Sequence, residues 1–174
     1  MLSDRPLRDL LAAFASSDPT PGGGSASAVA SAIGASLLTM VASLPKTRSN
    51  SDEDRAALAA ARQALTGIQQ QLTEAIDSDS LAYDAVVAAY KLPKASEPEQ
   101  AARKAAIQRA LRSATDVPLG VVRLSVLALR EAAAGILATG GSMIMFACTW
   151  SSAPSGRRVR SSRLCPSRGT NAVT

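Results

Sequence analysis

Apolar residues recur at helical spacing along most of the chain, and long alternating runs of β-branched residues are absent. Leu7, Leu10, Leu11 and Phe14 predict a short amphipathic first helix. A second, from Ala26 to Leu44, is built of small and apolar residues. Ala28, Ala32 and Ser36 share one face and Gly34 lies one face over, so another backbone can approach closely. Asp52 is the expected N-cap of a long third helix reaching about Lys91. Ser96 with Glu99 forms a capping box for a fourth helix running to about Ala114. Pro118 suits the first turn of a fifth, which Gly140 and Gly141 end. The expected fold is all-α, a bundle of about five helices with no sheet.

Two places break this pattern and carry the candidate chemistry. The first is Asp18-Pro19-Thr20-Pro21-Gly22-Gly23-Gly24-Ser25-Ala26-Ser27. Its prolines remove two backbone donors, and its glycines allow backbone angles closed to other residues. A glycine-rich turn feeding a helix gathers free N–H groups and the positive end of the helix dipole, which suits an anionic or carbonyl-bearing ligand. Pro21, Gly22, Gly23, Gly24 and Ser25 are therefore candidate binding residues, the plain alternative being a flexible connection.

The second place is the stripe Leu58, Ala61, Leu65, Ile68, Leu72, Ala75, Asp79, Ala82, Val86, Ala89 on the third helix. Its three-and-four spacing describes a helix packed along its length, and Asp79 is its only charge. A carboxylate in such a seam has to be paired, protonated or turned to a wet cavity. It is either a cap or bridge to a neighbouring helix, or a desolvated acid suited to proton transfer. Asp77 and Asp84 fall off the stripe and are expected in solvent, while Tyr83 can reach the space around Asp79.

Together these segments resemble the formiminotransferase-cyclodeaminase family, which includes methenyltetrahydrofolate cyclohydrolases. The resemblance rests on Pro19 to Ala28, on Ile76-Asp77-Ser78-Asp79-Ser80-Leu81-Ala82-Tyr83, and on Ala89-Tyr90-Lys91-Leu92-Pro93-Lys94. Arg103, Ala106-Ile107-Gln108-Arg109-Ala110-Leu111 and Ala114-Thr115-Asp116-Val117-Pro118-Leu119 extend it, so that it covers roughly residues 4 to 140. It implies an all-helical homodimer with folate in a cleft between helices; independently of it, a reducing cytoplasm is the default compartment for a chain whose two cysteines form no disulfide framework. The resemblance also implies either closure of formiminotetrahydrofolate with loss of ammonia, a lyase reaction, or hydrolysis of methenyltetrahydrofolate. The residues do not separate the two.

The chain holds no histidine, so protons in either reaction must be moved by other groups, Asp79 first among them. No metal and no redox cofactor is expected, the tetrahydrofolate derivative being the substrate. Lys91, Lys94 and Arg103 are candidates to hold its glutamate tail, or else belong to a solvated helix end and loop. Lys91 lies twelve residues past Asp79, so both serve one site only if it is broad or shared between subunits.

Charge divides the chain. From Ala132 to Thr174 there is no Asp or Glu, whereas Arg157, Arg158, Arg160, Arg163 and Arg168 account for the whole net charge of +5. Both cysteines, Cys148 and Cys165, and Trp150 also fall there. The division expected is a helical domain over 1–141, lacking the family's final helices, and an atypical basic tail over 142–174. The tail reads as out-of-frame translation, with a genuine basic arm as the alternative. A neutral body without an aromatic stacking platform argues against nucleic acid. The cysteines have no metal spacing, no Gly-Lys-Ser/Thr follows the glycines, and the first residues do not read as a signal peptide. The uncharged run Ala26 to Leu44 is long enough to span a membrane, but its Ala and Ser content fits close packing in a soluble dimer better. The competing reading is a non-catalytic, dimerising helical scaffold.

Overall fold

The computed structural model describes residues 1–44 and 51–137, which belong to one compact unit. Four helices follow in order: α1 (Leu7–Phe14), α2 (Gly23–Ala42), α3 (Asp52–Tyr90) and α4 (Glu97–Glu131). Gly140, Gly141 and the basic segment 142–174 lie outside the described residues.

The fold is all-α, and α3 is its centre. Leu58, Ala61, Leu65, Ile68, Leu72, Ala82 and Ala89 are buried along one face, as the stripe predicted, with Ile76 more deeply placed than Ala75. Leu65 and Leu72 are fully enclosed. Helix α2 packs on one side of α3 and α4 on another, and α2 and α4 also meet. The N-cap of α3 is Ser51 rather than Asp52: its side chain accepts the Asp54 N–H at 3.1 Å. Asp52, Glu53 and Asp54 then occupy the first turn, where the helix dipole favours negative charge.

Helix α2 starts at Gly23, three residues before the expected Ala26, and buries Ala28, Ala32, Ala35 and Ala42. Ser36 faces solvent, and a Cβ added at Gly34 would meet nothing within 4 Å, so neither belongs to the close contact assigned to them. Ser31 supplies a polar link instead, accepting from the Ser125 hydroxyl of α4 at 2.9 Å.

The fourth and fifth predicted helices are one. Glu97–Glu131 runs unbroken through Pro118 and continues as π-helix over Ala132–Leu137. Ala110, Val121 and Ala128 are buried along it at intervals close to three and two turns, so one apolar face crosses the proline. Packing of that face outweighs the loss of one backbone hydrogen bond. At its start, Glu99 accepts the N–H groups of Ala95 at 2.8 Å and Ser96 at 3.0 Å, as the capping box predicted. Gly135 is required where it stands, since a Cβ there would lie 2.6 Å from the Ala61 Cβ.

Helix α1 packs lightly. Only Leu10 of its predicted apolar face is buried, and Leu7 and Leu11 are exposed. Two further apolar rows face outward: Ile33, Leu37 and Met40 on α2 with Leu44 just past its end, and Leu119, Val122, Val126 and Leu129 on α4. By length and composition α2 is apolar enough to cross a membrane.

Candidate active site

The glycine turn and Asp79 meet. Ser25, in the first turn of α2, has no exposed surface. Its backbone N–H donates to Asp79 Oδ2 at 2.7 Å, and its hydroxyl lies 3.0 Å from the same oxygen. The hydroxyl also lies 2.9 Å from the Ile76 carbonyl and 3.3 Å from the Ser80 hydroxyl. Asp79 thus supplies from α3 the negative charge that the N-terminus of α2 attracts. The amide expected to meet an outside ligand at Ser25 is taken by the chain's own carboxylate.

Gly24 makes this possible through size. A Cβ there would sit 2.0 Å from Asp79 Oδ1 and 2.4 Å from its Cγ, a separation no side chain tolerates. The expectation that the three glycines serve unusual backbone angles is replaced by this close approach: none of Gly22, Gly23 and Gly24 lies in the left-handed region. Around Gly23 there is open space. Asp79 is half-buried, and its Oδ1 accepts no hydrogen bond from a described residue.

Asp77, expected in solvent, also holds a distant segment. It accepts the Leu2 N–H and, at 2.5 Å, the Ser3 hydroxyl. Burial pushes its carboxyl up, but the Ser3 side-chain bond, the Leu2 and Ser3 backbone bonds and the N-terminal charge together hold it below the ordinary aspartate range. Two carboxylates two residues apart on α3 therefore fasten the N-terminal segment and α2.

Between these attachments lies an open cleft of about 310 Å³, walled by Leu2, Arg5, Asp9, Asp18, Pro21 and Ser80 among others. Thr20 also borders it, and the Thr20–Pro21 peptide is cis. Asp79 is not part of the wall; Ser80, its neighbour, is. Sequence reasoning missed Ser80 and the role of Asp77, because their partners lie more than fifty residues away.

The basic candidates sit at and beyond the C-terminal end of α3, about three turns past Asp79. Lys94 and Arg103 border one depression of about 540 Å³ with Gln100, Lys104, Ile107 and Gln108. The Arg103 guanidinium donates to the Tyr90 carbonyl at 3.1 Å and stands 5.6 Å from that ring's centre, while its buried Nε has no partner among the described residues. Lys91 caps α3 and is exposed, outside that depression. Within one chain Asp79 and Lys91 are twelve residues apart on one helix, about 18 Å by its rise. The structure brings Gly24, Ser25 and Asp79 together, and separately Lys94 and Arg103. Among the described residues no three His, Cys, Asp or Glu side chains are grouped to hold a metal ion.

A family model described as Formiminotransferase-cyclodeaminase matches residues 6–145. A methenyltetrahydrofolate cyclohydrolase from Methylorubrum extorquens is 43% identical over 124 residues, 71% of this chain and 60% of the relative. Formimidoyltransferase-cyclodeaminases are less similar. That of Rattus norvegicus is 34% identical over 118 residues, 68% of this chain and 22% of the relative. That of Sus scrofa is 32% identical over 120 residues, 69% of this chain and again 22% of the relative. The chain therefore spans about three fifths of the first relative's length and about a fifth of the others'.

Proposed function

The chain belongs to the formiminotransferase-cyclodeaminase family, and from that premise we propose that it acts in folate one-carbon metabolism as a methenyltetrahydrofolate cyclohydrolase. The 43% identity to a protein of that name carries the choice, being higher than to the cyclodeaminases and covering more of the relative. Cyclodeamination of formiminotetrahydrofolate is the second reading, favoured by those cyclodeaminase relatives.

Hydrolysis adds water to the carbon between two folate nitrogens and then breaks one carbon–nitrogen bond. A proton leaves the water, and a proton reaches the departing nitrogen. No redox cofactor enters that balance. In this reading the folate ring occupies the cleft beside Pro21 and Ser80, and Asp79 is the proton acceptor. Its Oδ2 is held by Ser25, which fixes the carboxylate and leaves Oδ1 unoccupied. Lys94 and Arg103, with Lys91, receive the glutamate tail. The protein works as a cytoplasmic homodimer, with neither nucleic acid nor membrane as partner.

The test is loss of methenyltetrahydrofolate absorbance and, separately, ammonia release from formiminotetrahydrofolate, on the full chain. Asp79→Asn can still offer an oxygen to the Ser25 amide, so α2 stays fastened while the titratable group is lost. Turnover is expected to fall about 10²-fold or more with folate binding little changed. An Asp79 that only caps α2 would give a lower melting temperature and nearly full turnover per folded molecule. Absence of both reactions in the parent protein would leave the scaffold reading in its place.

A further inference from the structure

The carboxylate assigned to proton transfer does not line the cleft, yet a row of hydroxyls joins the two. Ser80 is half-buried on the cleft wall, Ser25 is sealed behind it, and Asp79 closes the row. The separations are 3.3 Å from Ser80 Oγ to Ser25 Oγ and 3.0 Å from Ser25 Oγ to Asp79 Oδ2. Each hydroxyl has one hydrogen and can accept as well as donate, while an ionised carboxylate only accepts. Ser25 can direct its hydrogen to the Ile76 carbonyl at 2.9 Å or to Asp79, and a charged acceptor makes the stronger bond. The polarity of the row is thereby set: Ser80 donates to Ser25, and Ser25 donates to Asp79.

We propose that Ser80 and Ser25 form a proton relay between the cleft and Asp79, with Ser80 the residue through which a cleft-bound group reaches the carboxylate. The inference deepens the cyclohydrolase reading and rests on it. In the forward step, water attacking the substrate carbon passes a proton to Ser80 Oγ. Ser80 passes its own hydrogen to Ser25 Oγ, and Ser25 passes its hydrogen to Asp79 Oδ2. The water oxygen ends bonded to carbon, Asp79 ends neutral, and each serine regains one hydrogen. Reversal of the row returns the proton toward the departing nitrogen. Gly24 belongs to the same device, since a side chain there would push Asp79 off Ser25.

Ser80 and Asp79 then act as one unit, a signature that a merely structural serine does not give. Ser80→Ala is expected to lower kcat for methenyltetrahydrofolate about 10-fold or more with KM within about twofold. Ser80→Thr, which keeps a hydroxyl, is expected to recover most of that loss. Adding Ser80→Ala to Asp79→Asn is expected to cost nothing further. Should the alanine lower the melting temperature, Ser80→Cys, of similar size and a poorer donor, takes its place. Full kcat in Ser80→Ala, or a double variant whose loss is the product of the single losses, overturns the relay and leaves the cyclohydrolase reading standing. A parent protein that turns over neither folate substrate overturns both.

Discussion

At Gly24 two rules of thumb give opposite signs. Alanine is a better helix former than glycine by about 1 kcal/mol, so substitution in the first turns of α2 should stabilise. The built Cβ at Gly24, however, falls 2.0 Å from Asp79 Oδ1, whereas that at Gly23 meets nothing within 4 Å. Gly23→Ala is therefore expected to hold or raise the melting temperature, and Gly24→Ala to lower it and to reduce turnover with it. Thermal unfolding of both variants checks the pair, and a stabilised Gly24→Ala would remove the argument for close approach. Asp77 gives a pH prediction. Its folded carboxyl titrates below its ordinary value of 3.8, so the stability it contributes is present in full above that value. That stability is lost as pH falls through the lowered folded value, because the unfolded chain then binds more protons. The protection of the Leu2 and Ser3 amides, measured relative to their intrinsic exchange rates, should fall over that range in the parent and already be low at neutral pH in Asp77→Ala. Sequence marked Asp79 because a charge interrupts an apolar stripe. Asp77 and Ser80 carry no such mark: what defines them is a hydrogen bond to a segment brought near only by folding.

Helix existence was legible wherever an apolar face repeats, and helix boundaries were legible where a local side-chain device sets them. Glu99 on the Ser96 amide is such a device. The join at Pro118 was not legible, because a proline at the first turn of a helix and one inside it are preceded by the same kind of residues. What decides is whether the buried face keeps phase across it, and Ala110, Val121 and Ala128 do. Since an interior proline costs about 3 kcal/mol against alanine, Pro118→Ala should raise the melting temperature, with the half-buried ring's lost packing offsetting part of the gain. A marked fall in calorimetry would mean instead that the ring itself is a packing element. Helix α2 also began earlier than its apolar run suggested. Its start is fixed not by its own residues but by the carboxylate of α3 on Ser25.

At the scale of the molecule, a helix of 39 residues packed, among the described residues, mainly against α2, α4 and the π-helical turn that follows α4 leaves much apolar surface outside. Ile33, Leu37 and Met40 follow one face of α2, and Leu44 lies just past its end, all with exposures of 41% or more, while Val122 and Leu129 on α4 reach 59% and 66%. A second copy of the chain is the occupant expected under the proposed function, so sedimentation at micromolar concentration should give twice the 17.8 kDa chain mass. Leu37→Asp or Val122→Asp should shift it toward monomer. Dimerisation also bears on the site, because Asp79 and the basic end of α3 are separated by about 18 Å within one chain. If each site takes its carboxylate from one subunit and its tail-binding cations from the other, Asp79→Asn and Arg103→Ala subunits are each inactive or nearly so when alone. Unfolded together and refolded, they should regain about a quarter of parental turnover, because half the dimers are mixed and each carries one intact site. Mixing without any gain, while both variants still dimerise, would mean that a single chain binds the whole substrate along α3.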